Sequence, residues 1–484
     1  MNFKTVFHVV AWLLGVMALL MAFCGLVSFL HGESQAGMSL AGSAAGTLVV
    51  SLVLGAVTRN QKELSKRDGL GVVAFGWLCA GIAGAFPYVL SGVIASPVAA
   101  LFETVSGMTT TGASVIPVLE VVPRGILLWR AITQLIGGMG VLILVVAILP
   151  FAGAGGMQLY RAEMPGPTKD RIEPRVASTA KMLWSVYIIL TVVLIFLLRL
   201  GGMDWFDAVC HSFAALATGG FSTRTASIAA YHSVYIEVIL TVFMLLAGIN
   251  FSLHYRVLRG EMLVWWKDGE VRFFLGFFAL CVAGGTWINH AAQAAAGAEW
   301  GAALREVSFT CASLVTTTGF VTGDYERWPI VLKPMLIFLM LLGGCAGSTA
   351  GGIKAGRIQV MFKAMVREVR LFIQPQAAIP IKLARKPLED DILRSILSFV
   401  ALYLIVALLG MLAMIPFSVD IQTAGSATVA CLSNVGPGFS TVGPMANFAG
   451  IPDAGKAILT ALMLIGRLEL YTVLAIFLPA FWRK

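Results

Sequence analysis

Apolar runs dominate the chain, and they come in two lengths. Stretches such as 7–30 (FHVVAWLLGVMALLMAFCGLVSFL) and 184–200 (WSVYIILTVVLIFLLRL) are close to or beyond the ~20 residues a membrane-spanning helix needs. Shorter runs such as 98–108 (VAALFETVSGM) and 205–217 (WFDAVCHSFAALA) are too short to cross. Each short run leads into a cluster rich in Thr, Gly or Asn, then into another long run, and the pattern occurs four times. No segment alternates apolar and polar residues over ~10 positions, which excludes a transmembrane β-barrel. The first run is too long and uninterrupted for a signal-peptide core and lacks a small-residue cleavage site, so it reads as a retained helix. The pattern predicts an all-α integral membrane protein. It would have about ten transmembrane helices and four re-entrant half-helices, arranged as four helix–pore loop–helix repeats around one pore.

The glycines that close the clusters are Gly112 (MTTTGAS), Gly219 (LATGGFS), Gly319 (VTTTGFV) and Gly436 (SNVGPGFS), separated by 107, 100 and 117 residues. A period near one hundred is too long for a solenoid and points to a repeated small membrane unit. The expected organisation is an N-terminal helix pair in 1–68, as a peripheral packing shell, then pore repeats 69–178, 179–270, 271–390 and 391–484. Irregular backbone at membrane depth is tolerated only where it is buried in protein or lines a water-filled path. Convergence of all four clusters on one axis meets that requirement for all of them together.

Composition and charge sharpen the class. Hydrophobic residues make up 58% of the 484 and charged residues only 12%, about half the share of a soluble domain. The net charge of +9 is concentrated in alternate loops: 58–68, 160–181, 255–272 and 363–394 hold 20 of the 34 Lys and Arg. By the positive-inside rule these loops and both termini are cytoplasmic, and attraction to lipid headgroups explains the charge better than nucleic acid does. Opposite loops carry Asp204, Asp207, Asp324, Glu326 and Asp420. The seven cysteines lie singly, with no disulfide or zinc spacing. No catalytic constellation is present, so an enzyme is not expected.

The clusters have the chemistry for a dehydrated cation. Hard monovalent ions take neutral oxygen ligands, which extended carbonyls supply in a ring and Thr hydroxyls can extend. The C-terminal, negative dipole ends of the half-helices favour a cation as well. A single Gly/Thr cluster reads equally well as a close helix-packing motif. Four in register, each after a half-helix, favour the pore.

These motifs, with GGCAGSTAGGIK and LMLIGRLE, resemble the Trk/Ktr/HKT superfamily of potassium transporters along essentially the whole chain, and the Trk-type membrane subunit most closely. The extra N-terminal pair is similar to Trk-type members. The resemblance implies that K⁺ is the transported and bound ion, with Rb⁺ as a surrogate and no organic cofactor. It places the selectivity filter at Thr110, Thr111, Gly112, Thr218, Gly219, Thr317, Thr318, Gly319, Asn434, Val435 and Gly436. The first-repeat serine of sodium-selective plant relatives is absent; the fourth repeat departs from the Thr-x-Gly look. A cytosolic nucleotide-binding regulatory subunit, a homodimer and location in the cell inner membrane are implied too.

Residues 341–357 (LLGGCAGSTAGGIKAGR) interrupt the second long helix of repeat three with Gly343, Gly344, Gly347, Ser348, Thr349, Gly351, Gly352 and Lys354. No stable helix favours that composition. A packing kink and a mobile plug are the two readings, and Trk-type relatives carry a similar loop as an intramembrane gate. Lys354 either snorkels to the cytoplasmic face or charges the plug. Arg467 lies in the last apolar run, where a charge is expensive. If Glu469 takes a basic partner on another helix, Arg467 is free to oppose cations beneath the filter, as the resemblance implies; a structural ion pair is the alternative. Arg130 reads as interface snorkelling, Gln134 and Asn250 as packing, and Glu103 as a hydrogen-bond acceptor for filter backbone or a cation attractor. The predicted function is potassium uptake through a gated, channel-like filter, with symport of a proton or sodium open. The rival is an alternating-access secondary transporter for a small solute that uses the single broken helix 341–357.

Overall fold

A computed structural model describes residues 1–58, 66–148, 172–293, 299–383 and 386–482. The stretches 58–68 and 160–181 fall largely outside the described residues, as do Arg483 and Lys484. Among the described residues the secondary structure is helical, apart from a two-residue antiparallel pairing of Lys382–Leu383 with Lys386–Pro387. The chain is therefore all-α, as the apolar pattern predicts.

Six described helices are long and apolar enough to cross a membrane: Phe3–Leu30, Ser34–Val57, Arg67–Leu90, Thr179–Leu200, Gly269–Ala292 and Asp390–Phe417. The first two form the N-terminal pair, with Ser51 Oγ donating to the Ala11 carbonyl (2.7 Å). They lie against the third through Val10, Leu14 and Ala83. Trp12, Leu19 and Leu52 stay exposed on the outside of the pair, as lipid-facing residues do. The other four each open one repeat.

The second helices of the repeats differ from expectation. Among the described residues, that of repeat one, Arg124–Ile148, runs unbroken. In repeat two, Val234–Ala247 and Phe251–Leu258 meet at a bend of 104°. Repeat three has Lys333–Leu342 and Ala355–Ile373, so its loop is 343–354, narrower than 341–357. Repeat four has Asp453–Arg467 and Leu470–Phe477. Among the described residues three helices are broken where one was expected. The added breaks have local causes: Asn250 leaves helical geometry to cap the next segment, its side chain accepting from Ser252 N (2.8 Å), and Glu469 takes φ 58°.

Four short helices sit between these pairs: Pro97–Met108, Trp205–Leu216, Trp300–Val315 and Ile421–Leu432. Three have 12 residues, a length of roughly 18 Å, about half a bilayer. Their N-termini are capped by Ser96, Asp204 and Asp420, whose side chains accept from Ala99 N, Asp207 N and Thr423 N. The Asp420 carboxyl is held below its usual range by that amide and by the Ser440 hydroxyl.

The return segments after the short helices bond in cyclic order. Leu119 N donates to Thr225 Oγ1 (2.9 Å), Ile228 N to the Val321 carbonyl (3.0 Å), Tyr325 OH to the Gly438 carbonyl (3.0 Å) and Phe448 N to the Ser114 carbonyl (2.9 Å). Repeat one thus meets two, two meets three, three meets four, and four returns to one. One apolar cluster, including Phe102, Val105, Leu459 and Met463, seals the closure between repeats one and four.

Candidate functional site

Each short helix ends in the same way. The residue after its cap takes a left-handed φ without being glycine: Thr110 (52°), Thr218 (54°), Thr317 (56°) and Asn434 (56°). Its amide donates to the carbonyl three residues back, and the next amide to the carbonyl five back: Thr111 N to Ser106 O (2.8 Å), Gly219 N to Ala214 O (2.8 Å), Thr318 N to Ser313 O (2.8 Å) and Val435 N to Ala430 O (2.8 Å). This is the Schellman arrangement, which satisfies helix-end carbonyls. A left-handed non-glycine residue costs about 1–2 kcal/mol, and two amide bonds of about 1 kcal/mol each offset it.

That shared geometry sets the register and corrects one assignment. Two residues after each left-handed residue comes a glycine with φ between 70° and 99°: Gly112, Gly220, Gly319 and Gly436. In repeat two the equivalent glycine is therefore Gly220, and Gly219 takes the place held elsewhere by Thr111, Thr318 and Val435. The sequence offers two adjacent glycines there, and only the backbone angle tells them apart.

The four glycines form a closed ring. A β-carbon on Gly112 would lie under 3.0 Å from the Gly219 carbonyl oxygen, one on Gly220 from that of Thr318, one on Gly319 from that of Val435, and one on Gly436 from that of Thr111. Each repeat's glycine thus abuts the preceding carbonyl of the next repeat, in the same order as the outer contacts. All eleven predicted strand residues come together here. Thr110, Thr111, Thr218, Thr317, Thr318, Asn434 and Val435 are fully buried. Thr109 and Thr111 share a hydroxyl bond (2.7 Å), as do Thr316 and Thr318 (2.8 Å). Asn434 Nδ2 reaches Thr111 Oγ1 (3.0 Å) and the Met463 carbonyl (3.0 Å), so the fourth strand is tied to the first by a side chain.

The loop 343–354 packs directly against these strands. Gly351 N donates to Thr317 Oγ1 (2.7 Å), and a β-carbon on Gly351 would collide with the Ser433 carbonyl. Gly343 (φ 70°) and Gly352 (φ 74°) lie so close that neither has room for a side chain. Gly344 lies against Gly248, whose carbonyl accepts from Cys345 N (2.8 Å), and Gly347 against Asn250. Ser348 Oγ folds back on the Cys345 carbonyl (2.6 Å). Thr349 Oγ1 donates to the Leu216 carbonyl (2.9 Å). Lys354 takes φ 84°, and its ammonium donates to the Ala350 carbonyl within the loop, so it does not snorkel outward.

Arg467 is buried, with its Nη1 on the Thr349 carbonyl (2.7 Å) and its Nη2 on the Gly137 carbonyl (3.2 Å). Its described partners are carbonyls rather than a carboxylate. Glu469 instead pairs with Arg357 (3.1 Å), the basic partner expected on another helix. Arg467 therefore bridges the loop to the unbroken helix of repeat one.

Three residues matter more than the sequence suggests. Glu103 accepts from Val115 N (2.8 Å) and Ser114 Oγ (3.0 Å), so it does serve strand backbone, and it forms a fully buried ion pair with Arg130 (2.8 Å). Arg130 does not snorkel: its Nη1 reaches the Ser222 carbonyl (3.0 Å), and its guanidinium lies over the Phe221 ring. Gln134 Nε2 donates to the Gly219 carbonyl (2.6 Å) and its Oε1 accepts from Phe221 N (3.2 Å). The spacing of Arg130 and Gln134, one helical turn apart, was the available signal. Glu270 is a fourth: one carboxylate oxygen accepts from both Ala346 N (2.9 Å), within the loop, and Gly356 N (2.8 Å), in the first turn of the helix that follows it. The seven cysteines are free, six of them buried, and no His/Cys/Asp/Glu group among the described residues is arranged to hold a metal ion.

Comparison with known proteins agrees with this architecture. The chain is 40% identical over the full length of both chains to the Trk system potassium uptake protein TrkH of Escherichia coli K12, and 38% to the TrkH of Halomonas elongata. It superposes on the crystal structure of the potassium transporter TrkH from Vibrio parahaemolyticus with a TM-score of 0.90 and 34% identity, covering 100% of both chains. Residues 39–484 match the family described as TrkH, cation transport protein. The chain belongs to the TrkH family of cation transport proteins.

Proposed function

We propose that this chain carries K⁺ inward across the cytoplasmic membrane along the axis of the four-strand ring, with the loop 343–354 as its gate. The carrying observation is the cyclic order in which Gly112, Gly220, Gly319 and Gly436 abut the carbonyls of Gly219, Thr318, Val435 and Thr111. Four equivalent strands closed on one axis supply the oxygen rings that replace a cation's hydration shell. The potassium uptake named for its relatives gives the ion. Membrane potential supplies about 2.3 kcal/mol per charge per 100 mV for inward movement.

Loop 343–354 bonds Thr317 through the Gly351 amide and is held by the guanidinium of Arg467 on the Thr349 carbonyl. This supports a plug, open when the loop withdraws. The cytoplasmic termini belong to this proposal through the positive-inside distribution of Lys and Arg, and the homodimer and nucleotide-binding regulatory subunit through the family. An alternating-access carrier is less well supported. Counting broken helices no longer separates the readings, because three are broken among the described residues; the closed ring of like-oriented repeats does, since that carrier design rests on inverted repeats.

Rb⁺ uptake in cells lacking their own K⁺ uptake tests the proposal. Gly319→Ser is expected to abolish uptake at normal membrane levels, and unchanged uptake would sink the filter. Shortening 345–351 is expected to raise flux; lower flux with normal expression overturns the plug.

A further inference from the structure

We propose that Gln134, on the second helix of repeat one, is a specificity-determining residue of the second strand, standing in for the side chain that Gly219 lacks. This rests on the filter reading above.

Residue 219 is glycine because of what lies against it, not because of its own backbone. The ring glycines need their positive φ, but Gly219 is not among the residues with positive φ, so its backbone would accept any residue. Its neighbour explains it: a β-carbon there would meet Gln134 Cδ at 2.5 Å and Oε1 at 2.9 Å. The glycine therefore makes room for an amide from another repeat.

That amide does what the equivalent side chain does elsewhere. In strands one and three the middle residue is a threonine whose hydroxyl bonds the cap threonine of its own strand, Thr109 to Thr111 and Thr316 to Thr318. In strand four the middle residue is Val435, whose fully buried side chain packs in the apolar cluster of repeat three. Strand two has Ala217 at the cap and Gly219 in the middle, so it can make neither contact itself. Gln134 fills the space and grips both peptide groups around Gly220, donating to the carbonyl before it and accepting from the amide after it. It is fully buried, and the Arg130–Glu103 pair one turn away fixes its helix against the same strand.

Two consequences follow for ions. The Gly219 oxygen, which borders Gly112 in the ring, already accepts a hydrogen bond. It is therefore a weaker cation ligand than a free carbonyl, and number and field strength of ligands help decide between K⁺ and Na⁺. The position of the second strand also depends on a residue outside it, so ion preference is set partly from repeat one.

The test is a swap, read as the ratio of Rb⁺ to Na⁺ uptake at matched membrane levels. Gln134→Glu keeps the volume but removes the donor and is expected to lower the ratio at least threefold. Gly219→Thr alone is expected to lose uptake, because its side chain needs the space Gln134 fills. Combining Gly219→Thr with Gln134→Ala gives strand two the threonine of strands one and three, and is expected to restore uptake to within about threefold of the parent. Gly319→Ser serves as control. If Gly319→Ser abolishes Rb⁺ uptake while Gln134→Glu leaves the ratio unchanged, the role of Gln134 is overturned and the filter reading stands. If Gly319→Ser leaves Rb⁺ uptake unchanged at normal membrane levels, the filter reading itself fails. If the double variant is no better than Gly219→Thr alone while each folds, the stand-in argument is wrong.

Discussion

The four strands and the loop 343–354 are both buried, non-helical backbone at the centre of a helical membrane protein, yet they are held in opposite ways. Each strand is fixed first by its own backbone: a left-handed residue, two amide bonds back into the short helix, and a glycine against the next carbonyl, repeated four times. Side chains such as Gln134 and Asn434 are added to that backbone frame. The loop is tied to other elements largely by single side chains, those of Thr317, Thr349, Arg467 and Glu270. Backbone caps cannot be released without unwinding helices, whereas a few side-chain bonds of about 1–3 kcal/mol each can be exchanged for others. On the proposed function, that contrast assigns the fixed role to the strands and the mobile one to the loop.

The comparison breaks most severely at Glu103. Glu103→Ala leaves Arg130 buried without its carboxylate, a loss of about 3–5 kcal/mol; thermal unfolding in detergent is expected to show the variant poorly folded. Gly319→Ala comes next, because its β-carbon cannot coexist with the Val435 carbonyl. Displacing that carbonyl by about 1 Å is expected to lower Rb⁺ uptake by about 100-fold, the scale such misplacement has in enzymes. Near-normal uptake would deny the strands their rigidity.

Changes at the loop should instead leave ion preference alone and alter flux. Arg467→Gln removes charge-assisted bonds to Thr349 and Gly137, each worth about 1.5–3 kcal/mol, and flux is expected to rise severalfold in single-channel or uptake measurements. Glu270→Gln keeps an acceptor oxygen for Ala346 and Gly356 but removes its charge, so a smaller rise, about twofold to fivefold, is expected for a loss near 1 kcal/mol. A shift in the Rb⁺/Na⁺ ratio in either variant would mean that strands and loop are one unit. Glu469→Gln opens an ion pair whose carboxylate is half exposed, and is expected to change stability by about 0.5 kcal/mol or less.

Much of this was legible in the residues. The long and short apolar runs, the four Thr/Gly/Asn clusters and the misfit composition of 343–354 are local signals, because burial in lipid and helix propensity act on neighbouring residues. The breaks at Gly248–Asn250 and Leu468–Glu469 were not visible: Asn250 reads as a packing residue and Arg467 and Glu469 as buried charges, and neither reading by itself ends a helix. Nor was the choice between Gly219 and Gly220, which depends on a backbone angle set by the Schellman cap.

By itself, then, the order of residues determined the class, the fourfold repetition and the chemistry of the strands. Tertiary structure alone decided which glycine faces which carbonyl, that Arg130 pairs with Glu103 rather than reaching water, and that Gln134 serves a strand in another repeat. Arg130 and Glu103 lie 27 residues apart in the chain, and Gln134 and Gly219 lie 85 apart. Hydropathy and propensity are summed over short windows, but a buried charge or amide is settled by whichever distant group first satisfies it in the absence of water.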